Sequence, residues 1–138
     1  MINFLNKIHC KLYGFAIKKP KSRPKGYALL SYITSPFTSL PWQNHSDPHS
    51  NYWEAYKIAE ILCNKGYIVH IIDWNNQSFV PKKPYKICID INKNLERLSP
   101  LLPPRCKKIM HIVSSSPSFQ NQAEKIRLDL LQKRTGIT

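Results

Sequence analysis

The chain has 138 residues, 42% of them hydrophobic, with 11 prolines, which excludes a disordered chain and suits one domain with an ordinary core. Its 21 lysines and arginines face 8 acids, for a net charge of +13. Part of the surface must therefore be positive and suit an anionic partner: nucleic acid, an anionic lipid surface, a phosphate-bearing small molecule or an acidic protein.

Residues 1–18 place Leu5, Ile8, Leu12, Phe15 and Ala16 at helical spacing with lysines between them, which predicts a short basic amphipathic helix. Such a helix either packs on the domain or lies on an anionic membrane surface. The segment lacks the leading positive region and the small-residue cleavage site of a signal peptide. No apolar run of the chain reaches the ~18–20 residues that a spanning helix needs. The stretch KKPKSRPK (18–25) reads as an extended, solvated linker, so residues 1–25 form a basic arm ahead of a domain over 26–138.

That domain opens with GYALLSYI (26–33), an apolar strand, followed by a long loop (34–49) that holds Pro36, Pro41, Pro48, His45 and His49. A helix is predicted from about Ser50 to Lys65, with Tyr52, Ala55, Tyr56, Ala59, Leu62 and Cys63 as its apolar stripe and Gly66 as its stop. YIVHIID (67–73) is a β-branched second strand, and YKICIDI (85–91) is a third. A short helix over 93–102, a fourth strand over 107–113 and a closing helix over 119–134, ended at Gly136, complete the order. Strands that are nearly continuously apolar, alternating with helices, predict an α/β fold: a half-Rossmann, doubly wound parallel sheet with helices on both faces, preceded by the basic helix.

In such a sheet ligands bind beyond the carboxyl ends of the strands. By this reading those ends are Thr34–Pro36, Asp73–Asn75, Asp90–Asn92 and Ser114–Ser116. The four glycines, Gly14, Gly26, Gly66 and Gly136, form neither a Gly-x-Gly-x-x-Gly turn nor a phosphate loop, which excludes an ordinary dehydrogenase or P-loop enzyme. Gly-x-Ser-x-Gly is also missing, against an α/β-hydrolase. The cysteines Cys10, Cys63, Cys88 and Cys106 form no Cys-x-x-Cys pair and read as reduced thiols, with Cys63 and Cys88 as small buried hydrophobes.

Asn51 and Glu54 have the spacing of a capping box; alternatively, His49, Asn51 and the free N–H groups of the helix start face a ligand crevice. His45 and His49 stand four apart but lack a third ligand, so no metal site is expected. Ser116 before Pro117 reads as a helix cap, whereas Ser114 and Ser115 have no such duty and offer hydroxyls to a sugar or phosphate. Asp73 and Asp90 read as turn formers ahead of catalysts.

Three stretches together resemble a known family: KGYALLSYITSPF, HSNYWEAYKIAEILCNKGYIVHIIDWNN, and YKICIDI through KRTG. The pieces that carry the likeness are His49 with Tyr52-Trp53-Glu54, Gly66-Tyr67-x-Val69 followed by Asp73, and Phe119-x-Asn121-x-Ala123-Glu124 with Arg127-Leu128. Over residues 25–138 the chain resembles the amino-terminal domain of a bacterial glycosyltransferase of the two-Rossmann-domain (GT-B) kind, related to the group 1 family. The resemblance implies the acceptor side of an enzyme that moves a sugar from a nucleotide sugar, its co-substrate, to an acceptor hydroxyl. It implies substrate-binding residues at His49, Asn51, Tyr52, Glu54, Asn92, Ser114, Ser115 and Ser116. No cofactor is expected.

The family's donor-binding domain should follow where this chain stops, so a missing domain or partner chain is expected, and the chain alone is expected to be inactive. The family's first domain also carries a histidine near a strand end. The strands as read here end in Asp90-Ile91-Asn92 and Ser114-Ser115-Ser116, so no catalytic residue is assigned. A cytoplasmic protein, peripheral to the inner face of the membrane through residues 1–25, is the expected setting. A small basic module for nucleic acid or an anionic surface is the alternative, although no helix-turn-helix, zinc-finger or RNA-recognition signature is present.

Overall fold

A computed structural model describes residues 2–39, 50–113 and 117–136. In chain order the elements are α1 (Ile2–Tyr13), β1 (Ala16–Lys18), β2 (Gly26–Tyr32), α2 (Ser35–Thr38), α3 (Ser50–Asn64), β3 (Tyr67–Asp73), β4 (Tyr85–Asp90), α4 (Asn94–Leu98) with a 3₁₀ turn at Ser99–Leu101, β5 (Lys107–Met110) and α5 (Pro117–Thr135). The apolar run of β2 lies at the centre of a five-stranded sheet ordered β1-β3-β2-β4-β5. Strands β3, β2, β4 and β5 are parallel, with Leu30 paired to Ile71 on one side and to Ile89 on the other.

The chain winds outward from β2 in two directions, first to β3 and later to β4 and β5. Right-handed crossovers in opposite directions put their helices on opposite faces. Accordingly, Ala55, Ala59, Leu62 and Cys63 of α3 pack on Ala28, Leu30 and Tyr32 of β2. On the other face, Leu98, Leu102 and Phe79 pack with Leu29 and Cys88. The alanines at i and i+4 let α3 approach the sheet closely. Cys63 and Cys88 are buried as the apolar pattern predicts.

The sheet is mixed, and this corrects the expected all-parallel arrangement. β1 runs antiparallel to β3, pairing Ala16 with Ile71 and Lys18 with Val69, in a segment read from sequence as the end of a helix. Gly14 causes the change. It takes φ +81°, and its N–H bonds Cys10 O at 2.8 Å, which closes α1 before Phe15. The outer rim of β1 is then satisfied by one side chain. Asn6 donates Nδ2–H to Ile17 O at 2.8 Å, while Ile17 N–H donates to Asn6 Oδ1 at 3.0 Å.

Other boundaries move by a few residues. The loop expected from residue 34 begins with α2, whose first turn holds Pro36, a residue tolerated there because its missing N–H has no helical partner. The fourth strand ends at Met110, short of the expected Val113. Gly66, at φ +94°, follows α3 as the predicted stop and bonds Cys63 O at 2.8 Å. The closing helix begins at Pro117, and all of its described side chains are exposed, Ile126, Leu128 and Leu130 among them. No described helix is long and apolar enough to cross a membrane.

Candidate functional site

The carboxyl ends of the parallel strands bring two polar clusters together, one on each face of the sheet. The first is built on Tyr32, the last residue of β2. Its ring is buried against α3, and its hydroxyl lies 3.2 Å from Glu54 Oε1 and 3.3 Å from Asn51 Oδ1. A hydroxyl has one proton to give, so the two acceptors compete for it, and the charged one forms the stronger bond. Burial first, then the charge of Glu54 and its hydrogen bond, push the Tyr32 phenol up to about 12. Tyr32 is therefore a protonated donor throughout the physiological range.

His111 completes this cluster. It follows β5 directly, and its backbone N–H bonds Asp90 O at 2.7 Å, which continues the strand pairing by one step. The same hydrogen bond fixes where its side chain emerges. The imidazole Nε2 meets Glu54 Oε1 in a short hydrogen bond, and the Tyr32 ring stands 6.3 Å away, centre to centre. With the carboxylate as acceptor, Nε2 is the donor, and the neutral imidazole then carries its lone pair on Nδ1. His111 and Glu54 are 37% and 34% exposed, so the pair is held by the fold yet reachable from solvent.

The second cluster lies across the sheet. Asp90, fully buried at the end of β4, accepts the Leu95 N–H at 2.7 Å through Oδ2, while Oδ1 has no partner among the described residues. Asn94 donates to Ser31 Oγ at 3.2 Å and to Asn76 O at 3.1 Å. Arg97 donates to Asn94 Oδ1, Phe79 O and Asn76 O, which fastens the β3–β4 connection to α4. A cavity opens above this network between Trp74, Asn75 and Gln77 on one side and Asn92, Lys93 and Arg97 on the other. With Asn94 at its base, the cavity is lined by two cations and four carboxamides, a polar and positive surface.

Of the residues singled out from sequence, Asn51 and Glu54 come together around Tyr32. They do this in place of the capping box, because α3 already begins at Ser50, which puts Asn51 inside the helix and Glu54 past its first turn. Tyr52 is half-buried on the same helix, outside the cluster. Asn92 lines the cavity on the opposite face, so it does not join Glu54 in one site. His49, Ser114, Ser115 and Ser116 lie outside the described residues, as does His45. Asp73 is a turn former, as expected: it accepts the Thr34 N–H at 2.8 Å and the Thr34 hydroxyl at 3.1 Å, joining the ends of β2 and β3.

Sequence reading missed His111 and Tyr32. Both sit inside apolar runs, and nothing in KKIMHIV marks the point at which pairing stops. His111 directly follows the last residue of β5, two residues before the point at which the strand was expected to finish. Among the described residues no three His, Cys, Asp or Glu side chains are grouped to hold a metal ion.

No protein-family model matches the chain, and no curated protein or solved structure is significantly similar to it.

Proposed function

We propose that this chain is the acceptor side of a sugar-transferring enzyme, a GT-B-like half in which His111 acts as the base on an acceptor hydroxyl. The observation that carries the reading is the Glu54–His111 pair beside Tyr32, at the edge where parallel α/β sheets bind ligands. Glu54 takes the Nε2–H and so keeps Nδ1 basic and oriented. An acceptor hydroxyl placed at Nδ1 gives up its proton as its oxygen bonds the anomeric carbon of the donor sugar. The bond from that carbon to the nucleotide breaks, and the nucleotide departs with the electron pair. Glu54 then stabilises the imidazolium. The donor nucleotide is held by a second domain or a partner chain, and the recess at Asn92, Lys93 and Arg97 lies on the far side of β4, where it binds polar parts of a substrate.

The reading is tested on the full chain with histidine-labelled NMR and a panel of glycoside acceptors. Acceptors that bind should shift the His111 ring resonances, and Glu54→Gln should alter the tautomer signature and weaken the shift. A panel that leaves His111 unmoved, or binds His111→Ala equally well, overturns it. The chain alone should transfer no sugar; robust turnover from a nucleotide sugar would refute the division of labour.

A further inference from the structure

Helix α1 is amphipathic in the wrong direction for a helix that serves the core. The side it turns to the domain is polar. Asn6 is the one residue buried, clamped on Ile17 of β1, and Asn3 donates to Ser39 O at 2.8 Å. His9 and Cys10, on the same side, are half-buried, and His9 Nδ1 bonds Phe15 O at 2.8 Å. The side it turns outward is apolar: Ile2 is 76% exposed, Leu5 59%, Leu12 70% and Tyr13 64%, with Phe4 and Ile8 between them. An isolated exposed leucine needs no explanation, but a whole stripe along three turns does.

Charge identifies the occupant. Lys7 and Lys11 lie four apart on the same helix, along one border of the stripe, and both are exposed. Lys18, Lys19, Lys21, Arg23 and Lys25 follow, and the first 46 residues contain no aspartate or glutamate. An apolar stripe with cations along its free border and no acid beside it fits an anionic lipid surface, where the side chains enter the acyl boundary and the ammonium groups stay with the headgroups. The same charges repel a second copy of this chain. Twelve residues are too few to span a bilayer, so the helix lies in its plane.

We infer that α1 docks this protein on an anionic membrane, its orientation fixed by the Asn6 clamp on the edge strand. The clamp matters because it holds the helix with its stripe outward before any lipid is met, so docking orders little more of the chain. It also sets the angle of approach. Gly14, at the end of α1, accepts a hydrogen bond from Asn76 in the connection that leaves the carboxyl end of β3, and the exposed Trp74 sits in that connection. A bilayer on α1 therefore lies beside the edge that holds the candidate site, and molecules carried in the bilayer meet that edge first. The docking does not depend on the reaction proposed above.

The test is co-flotation of the full chain with vesicles of phosphatidylcholine containing phosphatidylglycerol, against pure phosphatidylcholine, alongside its elution on a sizing column. The wild-type chain should float with the anionic vesicles only and elute as a monomer. Ile8→Asp with Leu12→Asp should reduce binding at least tenfold, since both residues are exposed and leave the fold intact. Lys7→Gln and Lys11→Gln should each cost roughly fivefold and flatten the salt dependence. Ile126→Asp, on the equally exposed α5, should change nothing. Equal flotation on neutral vesicles, no flotation, or full binding by the Ile8→Asp, Leu12→Asp chain overturns the inference. So does a wild-type dimer that those substitutions dissolve, which would make the stripe a contact between copies. Lipid binding without any effect of glycosides on His111 would uphold the docking and sink the proposed reaction.

Discussion

Asn6 does for β1 what a further strand would do, since its amide supplies both the donor and the acceptor that the outer rim of Ile17 needs. Asn6→Ala leaves two backbone groups without their partners and should destabilise the chain by about 1–3 kcal/mol, measurable by urea unfolding. An unchanged midpoint would show that the rim is satisfied otherwise. His70 argues a second case. It is buried with its Nδ1 2.7 Å from the Tyr85 hydroxyl, and burial first, then the charges of His9 and Lys83, lower it to about 4. The unfolded chain takes up its proton near pH 6.5, whereas the folded one refuses it until about 4. The unfolded state therefore binds more protons in that window, and stability should fall as pH drops from about 6.5 to 4, by on the order of 3 kcal/mol. His70→Gln should remove most of this slope; a wild-type chain equally stable at pH 7 and 4.5 would contradict it. Neither role was legible in the sequence. Asn6 lies between leucine and lysine in a helical pattern, and His70 lies between valine and isoleucine in a strand. What each does depends on residues brought to it by the fold.

At the level of elements, periodicity carried far. The apolar runs of β2, β3 and β4 and the stripe of α3 announce themselves, because each is long enough for its period to show. Ala59 illustrates the strength of that signal: it faces β2 with no exposure at all, so Ala59→Leu should push α3 off the sheet at a cost of about 1–3 kcal/mol. Thermal melts would read this as a clear loss, and no loss would mean that α3 has room to shift. The three residues of β1 are too few to show a period, and only the left-handed turn at Gly14 and the clamp at Asn6 make them a strand. The candidate site was half legible. Glu54 and Asn51 drew notice by their place at a helix start, but their partner His111 was hidden by a strand end that no proline, glycine or polar pair marks. For α1 the sequence offered a stripe and could not say which way it faced; hydrogen bonds on the opposite side decide that.

Over the whole molecule, charge is the dominant feature. A net +13 repels itself, and few ion pairs offset it: among the described residues Lys57 meets Glu60 at 2.8 Å and Arg127 meets Glu124 at 2.6 Å, both on the surface. Screening relieves repulsion more than it weakens such pairs. The melting temperature should therefore rise between about 20 and 300 mM salt; a fall would mean that exposed ion pairs outweigh the repulsion. The same salt should release the chain from anionic vesicles, so stability and membrane binding should respond in opposite senses.

The central place of β2 also has a consequence during synthesis. Its partners come much later in the chain: Gly26 pairs with Tyr67, and Tyr27 with Tyr85. At roughly 5–20 residues per second on the ribosome, β2 emerges seconds before either neighbour exists. Until then a strand with five of its seven residues destined for the buried core offers two unpaired edges to anything nearby. The nascent chain is thus a natural client for a chaperone, and its yield in a cell should depend on how well that interval is guarded.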